Sequence, residues 1–314
     1  MQTRAPTLEG YSRVVAMIHV VGEELSMPYH DGDPISYFKK NKKIERIMDL
    51  INKRAIVCGS TQGIGKSTAI KLSEMGASVV LISRNKEKLN NVLNDLPVLD
   101  QSQKHEILVA DFSNPNALKE VLNEYMLQNK TVHVLVNNTG GPPGGPIKDA
   151  NTQEFINAFN QHLICNHILV QAVYPGMMSS GYGRIINVIS TSVKQPIEGL
   201  GVSNTIRGAV ANWSKTLANE LGAYNITVNN VLPGATNTSR LSDIAKAKAS
   251  KADKSTEEIY KTMAMQVPMQ RIAEPEEVAK AIAFLASNEA DYINGINKSS
   301  SWHTRTCKIW LADK

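Results

Sequence analysis

Short Val- and Ile-rich runs alternate with helical patterns from Lys53 onward, and a glycine-rich turn joins the first run to a helix. Together these predict an α/β fold, a doubly wound parallel sheet flanked by helices. The runs are Ala55 to Cys58, Ser78 to Ile82, Ile107 to Ala110, Val132 to Val136, Arg184 to Ile189 and Ile226 to Val231. Few polar residues interrupt them, as suits strands covered on both faces, and the patterns between them supply the crossover helices. Right-handed crossovers put a ligand site at the carboxyl ends of the strands. With 314 residues and 42% hydrophobic content the chain can bury one large core, so a single domain is expected.

That domain is expected to span 48–297. Residues 1–47 mix Pro, Gly and charges without a sustained period and read as a poorly ordered N-terminal extension. Residues 298–314, beginning Lys298-Ser299-Ser300-Ser301-Trp302, lack clear strand alternation and read as an atypical C-terminal tail. The net charge of +5 is modest, and the densest basic run, Phe38 to Lys43, falls in the extension, so no nucleic-acid partner is expected. The three cysteines, Cys58, Cys165 and Cys307, are far apart and lack metal-ligand spacing. They indicate a reducing, cytoplasmic setting with neither a disulfide framework nor a metal site. No apolar run approaches the roughly 20 residues that span a bilayer, and Val14 to Val21 is short, holds His19 and precedes no cleavage pattern. No membrane partner is expected.

The turn reads Cys58-Gly59-Ser60-Thr61-Gln62-Gly63-Ile64-Gly65. Set between a strand and a helix, it is the context in which a dinucleotide pyrophosphate binds in Rossmann-type folds: Gly59 for the sharp turn, Gly63 for close backbone approach, Gly65 for helix packing on the sheet. Ser60, Gln62 and Ile64 share the turn and its amide groups. At the end of the second run stand Ser83, Arg84, Asn85 and Lys86. No carboxylate is there for a free ribose 2′-hydroxyl, while Arg84 can fork onto a 2′-phosphate, which favours NADP(H) over NAD(H). Asp111 is placed to accept from the adenine amino group, and Asn137-Asn138-Thr139-Gly140 closes the fourth run at the switch point. Two further segments could border the site: the Gly- and Pro-rich stretch Gly140 to Pro146, either a stiff loop or a loop lining the active-site mouth, and a helical stretch from Ser239 to about Gln266 that is either a lid or a solvated helix pair.

These residues resemble the short-chain dehydrogenase/reductase family, in its 3-oxoacyl-[acyl-carrier-protein] reductase-like branch, over roughly Met48 to Asn297. The likeness is carried by the glycine turn, Asn137 to Gly140, Gly183-Arg184-Ile185-Ile186-Asn187, Val231-Leu232-Pro233-Gly234, Pro275 to Ala279 and Phe284 to Ser287. The resemblance implies a catalytic set of Asn, Ser, Tyr and Lys. Ser190 matches the serine; thirteen residues later Ser203 stands for the tyrosine, and four further on Arg207 stands for the lysine. His162 falls at the asparagine position. By the same resemblance Arg207 holds the nicotinamide ribose, and Asn138, Gly140, Pro233, Gly234 and Thr238 contact the cofactor. The family also implies a homo-oligomer packed through a final strand and an Asp-Gly-Gly turn, whereas this chain continues after Asn297 without that turn.

The replacements change the proton chemistry. A serine hydroxyl is a poor acid beside a phenol near ~10, and a guanidinium above about 12 cannot relay a proton. His162 is therefore the first candidate for a replacement acid, directly or through water, and Lys194 the second, beside the plainer readings of a hydrogen-bonded core histidine and a solvated surface lysine. The sequence predicts an NADP(H)-dependent oxidoreductase that moves a hydride between the nicotinamide and a carbonyl or secondary alcohol, with a small-molecule or acyl-thioester substrate. The alternative is a catalytically silent dinucleotide-binding sensor or assembly protein.

Overall fold

The computed structural model describes residues 49–128 and 131–299. The expected N-terminal extension with its basic run, Val14 to Val21, and residues 300–314 with Cys307 lie outside the described residues.

Seven strands form one sheet: β1 (Arg54–Cys58), β2 (Ser78–Ser83), β3 (Glu106–Val109), β4 (Val134–Asn137), β5 (Gly183–Val188), β6 (Ile226–Leu232) and β7 (Asn297–Ser299). Their order is β3-β2-β1-β4-β5-β6-β7, and every pairing is parallel. The strand order reverses between β1 and β4, which opens a crevice at their carboxyl ends. Around the sheet run α1 (Gly63–Glu74), α2 (Lys86–Asp95), α3 (Pro115–Leu127), α4 (Thr152–Phe159), α5 (Cys165–Ser180), α6 (Gly201–Leu221), α7 (Ser239–Ala252), α8 (Thr256–Met265) and α9 (Pro275–Ala286).

Successive strand residues face opposite sides, so the continuous apolar runs fill two cores at once. Val57, Leu81, Val136 and Ile186 pack with Ala69 and Leu72 of α1, Leu89 of α2 and Val278 and Ile282 of α9. Ile56, Val80, Leu135 and Ile185 pack on the other side with Leu118 of α3, Leu169 and Val173 of α5 and Leu217 of α6. Each of these Val, Leu and Ile side chains stabilises the fold by roughly 1.5–3 kcal/mol through burial. The helix starts follow local chemistry: Asn85 and Asn114 accept from the amides of Lys88 and Ala117, and Asn151 with Glu154 forms a reciprocal cap on α4.

A row of asparagines crosses the sheet in register. Asn137 donates to Asn187 (2.8 Å), Asn187 to Asn230 (3.1 Å) and Asn230 to Asn297 (2.8 Å), joining β4, β5, β6 and β7. The last link corrects the sequence expectation about the C-terminal segment. Lys298 and Ser299, expected in the tail, belong to β7 and pair with Val231 and Leu232. Arg184 at the start of β5 adds a tie through its ion pair with Asp291, and its guanidinium lies 4.1 Å from the centre of the Tyr182 ring.

Candidate active site

A cavity of about 310 Å³ opens at the carboxyl ends of β1, β4, β5 and β6. Its floor includes Gly59, Gly63 and Ile64 of the glycine turn, and its walls include Asn138 to Gly141, Ser190, Ser203, Arg207, Pro233 and Gly234. Ten of the fourteen sequence-derived cofactor positions line this space together with Ser190, Ser203 and Arg207 of the catalytic candidates.

The turn is built by close approach. Gly59 has φ +58°, and a Cβ on Gly65 would lie 2.1 Å from the Gly59 carbonyl oxygen, so the helix can sit on the strand only with glycine there. Asn138 donates its side-chain amide to the carbonyls of Cys58 (3.2 Å) and Gly59 (3.3 Å), clamping the turn to β4. Gln62 reaches across to Ser239 at 2.9 Å, and Thr238 overhangs Gly63, its methyl 3.0 Å from where a Cβ would stand. The first turn of α1 carries no acidic residue and no side-chain cap, and no Asp or Glu lines the cavity among the described residues. Those free amides and the absence of carboxylates fit the pyrophosphate of a dinucleotide.

Four expected cofactor positions stand off the cavity wall. Ser60 is buried and its hydroxyl turns to the Ile82 carbonyl, and Gly65 acts through packing alone. Arg84 is exposed beyond β2, and the Asp111 carboxylate accepts from the Ser113 amide at 2.9 Å. Arg84 and Asp111 follow β2 and β3, the side of the crevice where the adenosine half of a dinucleotide would extend.

Around the reacting end, Ser190 sits extended after β5, its Oγ accepting from the Ser192 amide at 3.1 Å. Ser203 and Arg207 line the wall one helical turn apart on α6. Arg207 is 7% exposed and donates to the carbonyls of Val188 (3.0 Å) and Thr139 (3.5 Å). Burial, and then the Arg240 charge, push its pKa down to about 10.

The two candidate acids stand away from the cavity wall. His162 does not line the cavity: it is buried in a widened turn of helix, Asn160–Ile164, behind Thr139, with Nδ1 at 2.6 Å from Thr139 Oγ1 and Nε2 without a partner. Burial first, then the charges of Arg207 and Arg240, hold its pKa well below the ordinary value near 6.5, which disfavours the imidazolium form that would act as the acid. Lys194 is exposed at the end of the turn after Ser190 and does not line the cavity. The buried thiols of Cys58 and Cys165 are pushed above their ordinary value by desolvation, which removes thiolate chemistry.

The two candidate walls are both present. Gly140 and Gly141 line the cavity, and the stretch from Ser239 to Gln266 folds as α7 and α8, which contribute Arg240, Leu241, Ile244, Lys248, Met263 and Gln266. Sequence reasoning misses Arg240. Its side chain donates to the Pro142 carbonyl at 2.5 Å, tying α7 to the glycine-proline loop. The available signal is a basic residue in a first helical turn, where the helix dipole favours acids.

A family model described as Enoyl-(Acyl carrier protein) reductase matches residues 59–299. The chain is 29% identical over 243 residues to the NADPH-dependent reductase BacG of Bacillus subtilis, covering 77% of this chain and 94% of that protein. It is 32% identical over 248 residues to the 3-oxoacyl-[acyl-carrier-protein] reductase FabG of Vibrio cholerae, covering 79% and 95%. Among solved structures it resembles L-sorbose reductase from Gluconobacter frateurii complexed with NADPH and L-sorbose, with a TM-score of 0.74 and 27% identity over 81% of this chain and 96% of that one.

Proposed function

The chain belongs to the short-chain dehydrogenase/reductase family and is an NADP(H)-dependent oxidoreductase, and from that premise we propose that it reduces a ketone carbonyl, free or in a 3-oxoacyl thioester, or oxidises the matching secondary alcohol. The observation that carries this reading is the single cavity joining the glycine turn to Ser190, Ser203 and Arg207. The bound cofactor supplies the hydride.

Ser190 and Ser203 offer hydroxyls to the substrate oxygen from two walls of the cavity. Arg207, held by two backbone carbonyls, keeps a fixed positive charge where negative charge develops on that oxygen, an arrangement that lowers the barrier without transferring a proton. The proton comes from water held by the serine hydroxyls, since His162 is neutral and walled off and Arg207 holds its proton. His162 braces Thr139, whose carbonyl in turn receives Arg207. Thr238, over Gly63, closes the cofactor side.

The test uses 4-deuterated NADPH with a panel of 3-oxoacyl thioesters and small ketones. Deuterium on the product carbinol carbon is the expected result. Tight NADPH binding with no label transferred to any of them would favour the silent binding protein.

A further inference from the structure

The cavity carries positive charge on its lining and, among the described residues, no carboxylate. Arg207, Arg240 and Lys248 line it, no acidic side chain does, and among the described residues no carboxylate lies in ion-pair distance of either arginine. Two desolvated guanidiniums near each other repel, and burial with that repulsion lowers the pKa of Arg207. Burial lowers that of Arg240 too, opposed by the charge of the exposed Asp243 one helical turn away. A further positive contribution comes from the first turn of α7, which holds Arg240 and no acid. Such an arrangement disfavours the empty cavity and favours an anion inside it.

The dinucleotide pyrophosphate does not account for this charge. Thr238 and Ser239 turn toward the glycine turn, where Thr238 overhangs Gly63 and Ser239 receives Gln62. Arg240 turns to the opposite flank, over Gly141 and onto the Pro142 carbonyl, and its charge is felt by His162 and Arg207 at the reacting end. Arg240, Ile244 and Lys248 follow each other at intervals of four on one face of α7, all lining the cavity, with Lys248 exposed at the rim.

We propose that the cavity selects carbonyl substrates that carry a carboxylate, with Arg240 as the inner anchor, Ile244 covering the apolar carbons between the two groups, and Lys248 drawing anions to the rim. The guanidinium suits the task because it meets a carboxylate with two parallel hydrogen bonds. A surface lysine acts at longer range and loses its effect in salt. The inference rests on the ketone-reductase reading for the word substrate, and on the cavity alone for the anion.

The test is calorimetric titration of the NADPH-loaded protein with 4-oxopentanoate, its methyl ester, heptanoate and heptanamide. The two carboxylates are expected to bind at least about tenfold more tightly than the ester and amide, which is about 1.4 kcal/mol. Arg240→Met is expected to abolish that preference with NADPH affinity unchanged, Arg240→Lys to keep part of it, and Lys248→Met to weaken carboxylates mainly at low salt. Equal binding of acid and neutral partner, or no binding of either carboxylate, would overturn the proposal. So would a large loss of NADPH affinity in both Arg240 variants, since the arginine would then serve the cofactor. Heptanoate cannot be reduced and reads the anion site alone, so binding of 4-oxopentanoate without its turnover would count against the reductase reading and leave the anion site standing. Turnover of neutral ketones with no preference for acids would do the reverse.

Discussion

Thr139 Oγ1 and His162 Nδ1 stand 2.6 Å apart, and Thr139 is the residue that separates the histidine from the cavity. The contact uses Nδ1, while burial and two arginines disfavour the charged form of the ring. His162 is a brace in this site rather than its acid.

A neutral buried histidine makes stability depend on pH. Below about 6.5 the unfolded chain binds a proton at this position that the folded chain refuses, so stability is complete above that pH and falls as pH drops toward the depressed folded value. The slope from one such group is up to ~1.4 kcal/mol per pH unit. His105 and His133, also depressed by burial, add to it with the same sign. Urea unfolding at pH 7.5 and 5.5 should show a smaller loss for His162→Asn than for the parent chain; equal losses would contradict the neutral assignment.

Ser203 and Arg207 share a helical turn, the spacing at which tyrosine and lysine would cooperate. A phenol is a far better acid than a serine hydroxyl, and a neighbouring ammonium lowers its pKa. The double variant Ser203→Tyr with Arg207→Lys is expected to raise kcat by about tenfold or more and to make it pH-dependent, as positioned acid catalysis contributes roughly 10²–10⁴-fold. Steady-state rates between pH 6 and 10 check this.

Asn187 holds three partners at once: it accepts from Asn137 and donates to Asn230 and Ser214. Asn187→Leu strands those groups in a buried layer, and each orphaned group costs about 1–3 kcal/mol. A loss of roughly 3 kcal/mol or more is expected in urea unfolding. Asn297→Ala, at the sheet edge with one partner, should cost less.

Arg84 lies exposed beyond β2, away from the cavity wall. If it meets the 2′-phosphate, Arg84→Ala should weaken NADPH by about tenfold and leave NADH unchanged, as read by cofactor fluorescence titration. Equal weakening of both cofactors would contradict that role.

How far the sequence discloses this molecule varies by element. β1, β2, β5 and β6 are legible because strands covered on both faces read as apolar runs rich in Val and Ile, while β3, half-buried at the sheet edge, is legible from its Ile-Leu-Val run. β7 is hidden because Asn-Lys-Ser has no strand pattern of its own; its place is set by β6, through the backbone pairing and the Asn230–Asn297 bond. The glycine turn is legible because its spacing answers a local steric demand. The depth of His162 is hidden because helical periodicity says nothing of what Thr139 covers. Arg240 is hidden for a related reason, since its role depends on the loop at Gly141 and Pro142, distant in sequence.

The central claim is that this site reduces a carbonyl without the family's tyrosine and lysine, using Ser190 to hold the oxygen. The measurement that tests it most directly is kcat/KM for NADPH oxidation with the best substrate of the panel, for the parent chain and Ser190→Ala, with NADPH affinity determined in the same samples. The account predicts a fall of about tenfold or more in the variant with affinity unchanged. A chain that binds NADPH tightly and consumes none, or one whose rate is indifferent to Ser190, would contradict it.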